Sequence, residues 1–229
     1  FDAGNNISYL FSVILLPLFA SVIKKGEDLQ SLVKQSFSLM LTMTCLIAIV
    51  CIFYSQNLME LLYPRPESEL VEIYNSRIHE SSKILQILMG SFVSISITYI
   101  FGTLLTANGN LKQLNIVAAI GVIINVSLNF IFIPIFKAQG AAFTSLCVQF
   151  ATCFIQFVIA KQTFNLRLGT KLWISIFSFI ILTSITTIIL KNTSLNWIYS
   201  FLISSFSGIV IAFITKMLDY KELKSLIMS

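Results

Sequence analysis

The stretch NVSLNFIFIPIFKAQGAAFTS, residues 125–145, places Asn125 and Asn129 four residues apart in an apolar run. Pro134, Lys137 and the small trio Gly140, Ala141 and Ala142 then follow. A carboxamide in hydrocarbon is costly unless a partner or water satisfies it. Spacing of four puts both amides on one face of a helix. Two readings follow: the pair holds a neighbouring helix, or it forms the polar wall of a water-filled path. Pro134 is expected to end the helix at a membrane surface. Lys137 and Gly140 then make a turn, and the small residues let the next helix start tightly against its predecessor.

Similar apolar runs fill the rest of the chain. Of 229 residues, 56% are hydrophobic, 11% are charged and 20 are Phe. A soluble domain carries about 25% charged residues, so the composition is that of a polytopic membrane protein. A spanning helix needs roughly 20 apolar residues. Seven segments qualify, at about 6–23, 36–55, 83–107, 114–136, 140–160, 172–190 and 196–215. Only 56–82 is a long connection. Its Leu70, Ile73, Tyr74 and Arg77 predict a short interfacial helix after the break at Pro64 and Pro66.

Lys and Arg placement orients the spans. The connections 24–34, 108–113 and 161–171, with the tail after 215, hold ten basic residues, against Arg65, Arg77, Lys83, Lys137 and Lys191 on the other side. The first side is therefore expected in the cytoplasm, together with the C-terminus. The net charge of +5 is mostly this topology signal. Nucleic acid is not expected as a partner, since no soluble module carries a basic face. The chain opens at Phe1 with no basic leader, and an odd number of spans then starts outside, so it reads as a fragment of a longer protein.

No catalytic set is legible. The single histidine, His79, lies in the long connection, and the seven spans contain no Asp or Glu. Phosphate-loop, nucleophile-elbow and metal-ligand spacings are missing, so neither an enzyme nor a cofactor or metal is expected. Cys45, Cys51, Cys147 and Cys153 sit in apolar runs at spacings that do not align two thiols, and read as small apolar fillers.

The polar content of the spans is uncharged and patterned. Gln86, Gly90, Ser94, Thr98, Gly102 and Thr106 recur every four residues, a row that winds slowly around a helix. It reads either as a ridge for close helix packing or, at Gln86, Ser94 and Thr98, as a cavity lining. The first span carries Asn5, Asn6, Ser8, Tyr9 and Ser12, then Pro17. The two asparagines suit a helix cap, and Pro17 suits a kink or hinge.

Taken together, TANGNLKQLNIVAAIGVIINVSLNFIFIPIFKAQGAAFTSLCVQ (106–149) resembles the C-terminal half of the polysaccharide exporters. These are the O-antigen and lipid-linked-oligosaccharide flippases of the multidrug/oligosaccharidyl-lipid/polysaccharide superfamily. The shared features are Ala107 and Gly109, Asn125 and Asn129, Ile133–Pro134, and Gly140–Ala142 with Thr144. The opening FDAGNNISYLFSVILLPLFASVIKK, with Leu16 to Phe19, resembles the family's segment after its seventh helix.

The resemblance implies an all-α fold in which the seven spans are helices eight to fourteen of a fourteen-helix, two-lobe transporter. Residues 1–161 would then form most of the C-terminal lobe and 162–229 two trailing helices and the tail, with the N-terminal lobe absent. It implies alternating access for an undecaprenyl-pyrophosphate-linked oligosaccharide at a bacterial inner membrane, serving O-antigen or capsule synthesis. Polysaccharide polymerases and assembly proteins would be partners, beside membrane lipid. Candidate residues along the path are Asn125, Asn129, Gln86, Ser94, Thr98, Asn6 and Tyr9. Lys83 and Arg77 are candidates for the pyrophosphate at the outer edge. The alternatives on the same fold are a drug exporter or a peptidoglycan-precursor flippase, and outside transport a membrane glycan polymerase or ligase.

Overall fold

The computed structural model describes residues 2–218, with side chains from Ser8 onward and that of Asn6. The side chain of Asn5 and the basic tail with Lys221 and Lys224 lie outside the described residues. Seven helices follow in order: α1 (Asp2–Lys25), α2 (Leu29–Phe53), α3 (Ser55–Leu62), α4 (Val71–Ala107), α5 (Leu111–Phe164), α6 (Thr170–Lys191) and α7 (Trp197–Ile214). No strand occurs among the described residues. All but α3 are long and apolar enough to cross a membrane, so the chain is an all-helical polytopic membrane protein.

Local chemistry sets the boundaries. The Asp28 carboxylate accepts from the Gln30 amide at 3.0 Å to start α2, and Asn196 accepts from Ile198 N at 3.0 Å to start α7. Gly109, at φ +81°, makes the reversal between α4 and α5 in the left-handed region. Asn165, at φ 50° and ψ 40°, ends α5 the same way.

Helix α5 counts 54 residues, about 80 Å if straight, far beyond a hydrocarbon core of about 30 Å. It is instead a hairpin that reverses at Lys137 (φ 50°, ψ −127°). The two limbs, 111–136 and 138–164, fold back on each other. Phe132 stacks edge-on against Phe143 with centroids 5.4 Å apart, and Gly121 faces Val148 and Thr152. A β-carbon on Gly140 would stand 2.3 Å from the Phe132 carbonyl oxygen, so only glycine permits this approach. The expected turn at Lys137 and Gly140 is present, compressed to a single non-helical residue, and it yields the seventh crossing.

The long connection differs from expectation. No separate interfacial helix follows the prolines. The short helix, α3, precedes them, and Leu70 closes onto the first turn of α4. Helix α4 then continues for 37 residues, about 55 Å, so its first turns project past the hydrocarbon. The reason is continuity: 71–82 holds neither proline nor glycine, so nothing breaks the helix before the span begins. The asparagine cap is also corrected, because α1 starts at Asp2 and holds Asn5 and Asn6 within its first turns. Pro17 lies inside α1, which runs through it unbroken.

Helices α2 and α4 are the axis of the bundle. Helix α4 is flanked by α1, α2 and the second limb of α5, while α6 and α7 pack together against α2. Phe19, Phe101 and Leu104 are fully buried where α1, α2 and α4 converge. Phe101 meets Phe37 of α2 and Phe157 of α5, with centroids 5.7 and 5.2 Å apart. The first limb of α5 is the least covered, and Phe130 on it is 78% exposed. Such a face suits lipid or further protein. The ends of the bundle are tied separately. Lys191 donates to the Phe53 carbonyl at 2.7 Å at the end that carries the α5 turn, and Gln30 bonds the backbone of Arg167 at the opposite end.

Two substitutions test this geometry. Gly140→Ala is expected to cost about 3 kcal/mol, since rigid backbone must give way. Lys137→Gly, which removes a side chain from a sparsely populated backbone region, is expected to stabilise by about 1 kcal/mol. At Gly208 the blocking atom is the mobile end of Leu46, so Gly208→Ala is expected to be milder than Gly140→Ala. Thermal unfolding of the three purified variants in one detergent checks the order.

Candidate functional site

The two asparagines of the opening stretch bond each other. Asn129 donates from Nδ2 to Asn125 Oδ1 at 2.9 Å, along one face of the first α5 limb. No neighbouring helix takes part in that bond. Asn129 Oδ1 is buried without a hydrogen-bond partner, and Asn129 also borders a shallow cleft with Val126, Phe130, Ile133 and Pro134. The register that stacks Phe132 on Phe143 and Gly121 on Thr152 brings Asn129 level with Thr144 across the hairpin. Thr144 Oγ1 is likewise buried and unpartnered. An unmet buried polar atom is costly, and this level holds an amide oxygen without a donor and a hydroxyl without any partner.

The row on α4 is divided between contacts. Gly90 lies against Leu146 and Gly102 against Gln156 of the second α5 limb, each with only 3.0 Å of room for a β-carbon. Ser94 is buried and donates to the Gly90 carbonyl at 3.2 Å, and Thr98 donates to the Ser94 carbonyl at 2.9 Å. Back-bonding of this kind satisfies a hydroxyl inside hydrocarbon within its own helix. Gln86 reaches the other way and donates to Ser55 Oγ at 2.8 Å, tying α4 to the start of α3. The row therefore joins α4 to α3 and to the second α5 limb, and its Ser94, Thr98 and Thr106 hydroxyls each bond a carbonyl of α4 itself, Thr106 at an exposed position.

On α1, Asn6 is exposed and Tyr9 is 53% exposed. Tyr9 packs edge-on against Tyr99 of α4 at 6.2 Å, and beside it Ser8 and Ser96 share a buried hydrogen bond of 2.8 Å. The two pyrophosphate candidates separate. Arg77 grips Glu69 through two bonds of 3.1 and 2.7 Å and lies over the Tyr74 ring at 5.5 Å. The Glu69 hydrogen bond raises the Arg77 pKa further above its ordinary value. Lys83 is exposed and has no such partner.

The four cysteines are free thiols, and no cluster of metal-binding side chains occurs among the described residues. Sequence reasoning passed over Gln156, an amide inside the run FATCFIQFVIA. It is 8% exposed, and its Oε1 has no partner. A lone amide amid Phe and Ile was the available signal.

A bundle of long apolar helices, with uncharged polar groups inside and cations at its ends, is the architecture of a polytopic helical membrane protein. The comparison with protein families makes this specific. The family model described as lipid II flippase MurJ matches residues 7–213. The chain belongs to the MurJ lipid II flippase family, within the superfamily expected from residues 106–149. No curated protein matches the chain.

The amide pair gives a sharp contrast. Asn129→Leu removes an unmet buried oxygen, whereas Asn125→Leu leaves the Asn129 amide without its acceptor. Asn129→Leu is expected to match or exceed wild-type thermal stability, and Asn125→Leu to lose about 1 kcal/mol. Melting curves of the two purified variants measure the difference.

Proposed function

We propose that this chain moves lipid II, the lipid-linked peptidoglycan precursor, between membrane leaflets as part of a flippase. The family match over 7–213 carries this reading and favours the precursor over an O-antigen unit. The physical need is clear. A sugar–pyrophosphate headgroup dragged through hydrocarbon would lose hydrogen bonds worth several kcal/mol each. A path lined by amides and hydroxyls replaces that water, and Asn125, Asn129 and Thr144 supply such a level in α5.

In this reading 1–161 contributes most of one transporter lobe, with Gln86, Ser94, Thr98, Asn6 and Tyr9 near the path. Residues 162–229 add the two helices that lean on α2. The C-terminus faces the cytoplasm of a bacterial inner membrane, and the chemistry is transport rather than catalysis. Arg77 is held by Glu69, so Lys83 is the freer cation of the two pyrophosphate candidates. The pattern at 106–149 supports a second reading, in which the cargo is an undecaprenyl-pyrophosphate-linked oligosaccharide for O-antigen or capsule synthesis, handed to its polymerase.

Complementation separates the two. The full-length protein is expected to restore growth to cells depleted of their lipid II flippase, and to clear lipid II from the cytoplasmic leaflet. Rescue of O-antigen export alone would favour the oligosaccharide. Rescue of neither would remove both. Asn129→Leu is expected to lower precursor translocation at least tenfold at unchanged protein level, about the loss from one missing polar contact with a moving charge.

A further inference from the structure

Helix α4 and the second α5 limb run parallel with a constant register. Gly90 lies against Leu146 and Gly102 against Gln156, so residues some 55 positions apart share a level. Continued towards the α5 turn, this register brings Lys83 level with 137–139. Ile87, one turn from Lys83, lines a cleft of about 300 Å³ with Phe132, Phe136, Gln139, Gly140 and Phe143. The cleft is apolar within; Lys83 stands one helical turn before Ile87 and Lys137 directly follows Phe136, so this register sets both lysines at its edge.

Both cations are free. The ion pairs among the described residues are Lys25–Glu27 and Arg77–Glu69. Glu80, on the same side of α4 but further from the cleft, pairs with neither lysine. The turn itself holds a second observation. Lys137 takes φ 50°, where glycine would be relaxed, so the chain keeps a cation at some backbone cost. Strained backbone is held where the side chain has a use.

We infer that this cleft binds an anionic phospholipid of the leaflet at the turn end. Its acyl chain lies among Phe132, Phe136 and Phe143, and its phosphate is held by the Lys83 and Lys137 ammonium groups, with the Gln139 amide beside them. Flexible lysine stems reach the headgroup layer while their methylenes stay on the aromatic wall. Charge complementarity selects the occupant: two unpaired cations beside an apolar slot match one phosphate and its chain. The inference needs only a membrane-spanning chain, so it stands whichever glycan lipid the protein carries.

Native mass spectrometry of the full-length protein, titrated with phosphatidylglycerol or phosphatidylcholine, tests it. Wild type is expected to retain phosphatidylglycerol more tightly. Lys83→Gln with Lys137→Gly is expected to weaken that binding about thirtyfold and leave phosphatidylcholine unchanged. Lys83→Arg with Lys137→Arg keeps the charge and is expected to keep the binding. Equal retention of both lipids by wild type overturns the proposal, as does undiminished phosphatidylglycerol binding by the Gln/Gly variant. Loss of both lipids alike in that variant, or failure of the arginine pair, also overturns it, because charge would then not hold the lipid. Tighter retention of a polyprenyl phosphate than of phosphatidylglycerol would reassign the cleft to the carrier lipid of the cargo.

Discussion

Gly140 lies against the backbone of Phe132 and Ile133 with no space for a β-carbon, and the α5 hairpin depends on that approach. In hydrocarbon, backbone groups must be bonded within the chain, so a reversal between spans has to be short or reach the surface. Here it is both. One non-helical residue turns the chain, and the two limbs touch from the first turn onward. With the limbs so close, the Phe132–Phe143 stack and the Gly121–Thr152 contact set a register. The Asn129–Thr144 level and the aromatic cleft follow from it.

A second constraint is the treatment of hydroxyls. Ser82, Thr103 and Thr187 each donate to the carbonyl four residues back. Such groups are quiet: they cost little and bind nothing. Against that background the unmet oxygens of Asn129, Thr144 and Gln156, like those of Ser36, Tyr54, Ser91 and Thr183, have not taken local back-bonding. Small residues do separate work. With no hydrophobic force between helices in lipid, close contact rests on dispersion, and Gly90 and Gly102 bring α4 against α5 for that purpose.

Charge is distributed by a similar logic. Cations collect at the two ends of the bundle, where water and headgroups reach them, and none of the described ones sits deep among the helices. Arg77 is spent on Glu69 and Tyr74, which fastens the projecting turns of α4 to the chain before it. Lys191 caps α2 through the Phe53 carbonyl and so fixes the trailing pair at one end.

Periodicity and composition were enough to determine the class, the spans and the turn. Twenty-residue apolar runs have few physical outcomes, and Pro134 with Gly140 marks a reversal wherever it falls. The lipid-linked cargo was legible only as a pattern around 106–149. That pattern identifies a superfamily, not a headgroup, because the distinguishing contacts are few and uncharged. Other facts needed the tertiary structure. The Asn125–Asn129 bond lies within one helix, Gln86 binds Ser55, and Arg77 is already taken by Glu69. The short helix precedes the prolines because 71–82 is simply the start of α4. Spacing tells which residues share a face. Only packing decides which partner that face meets, since hydrogen bonds and ion pairs are won by the nearest group in space.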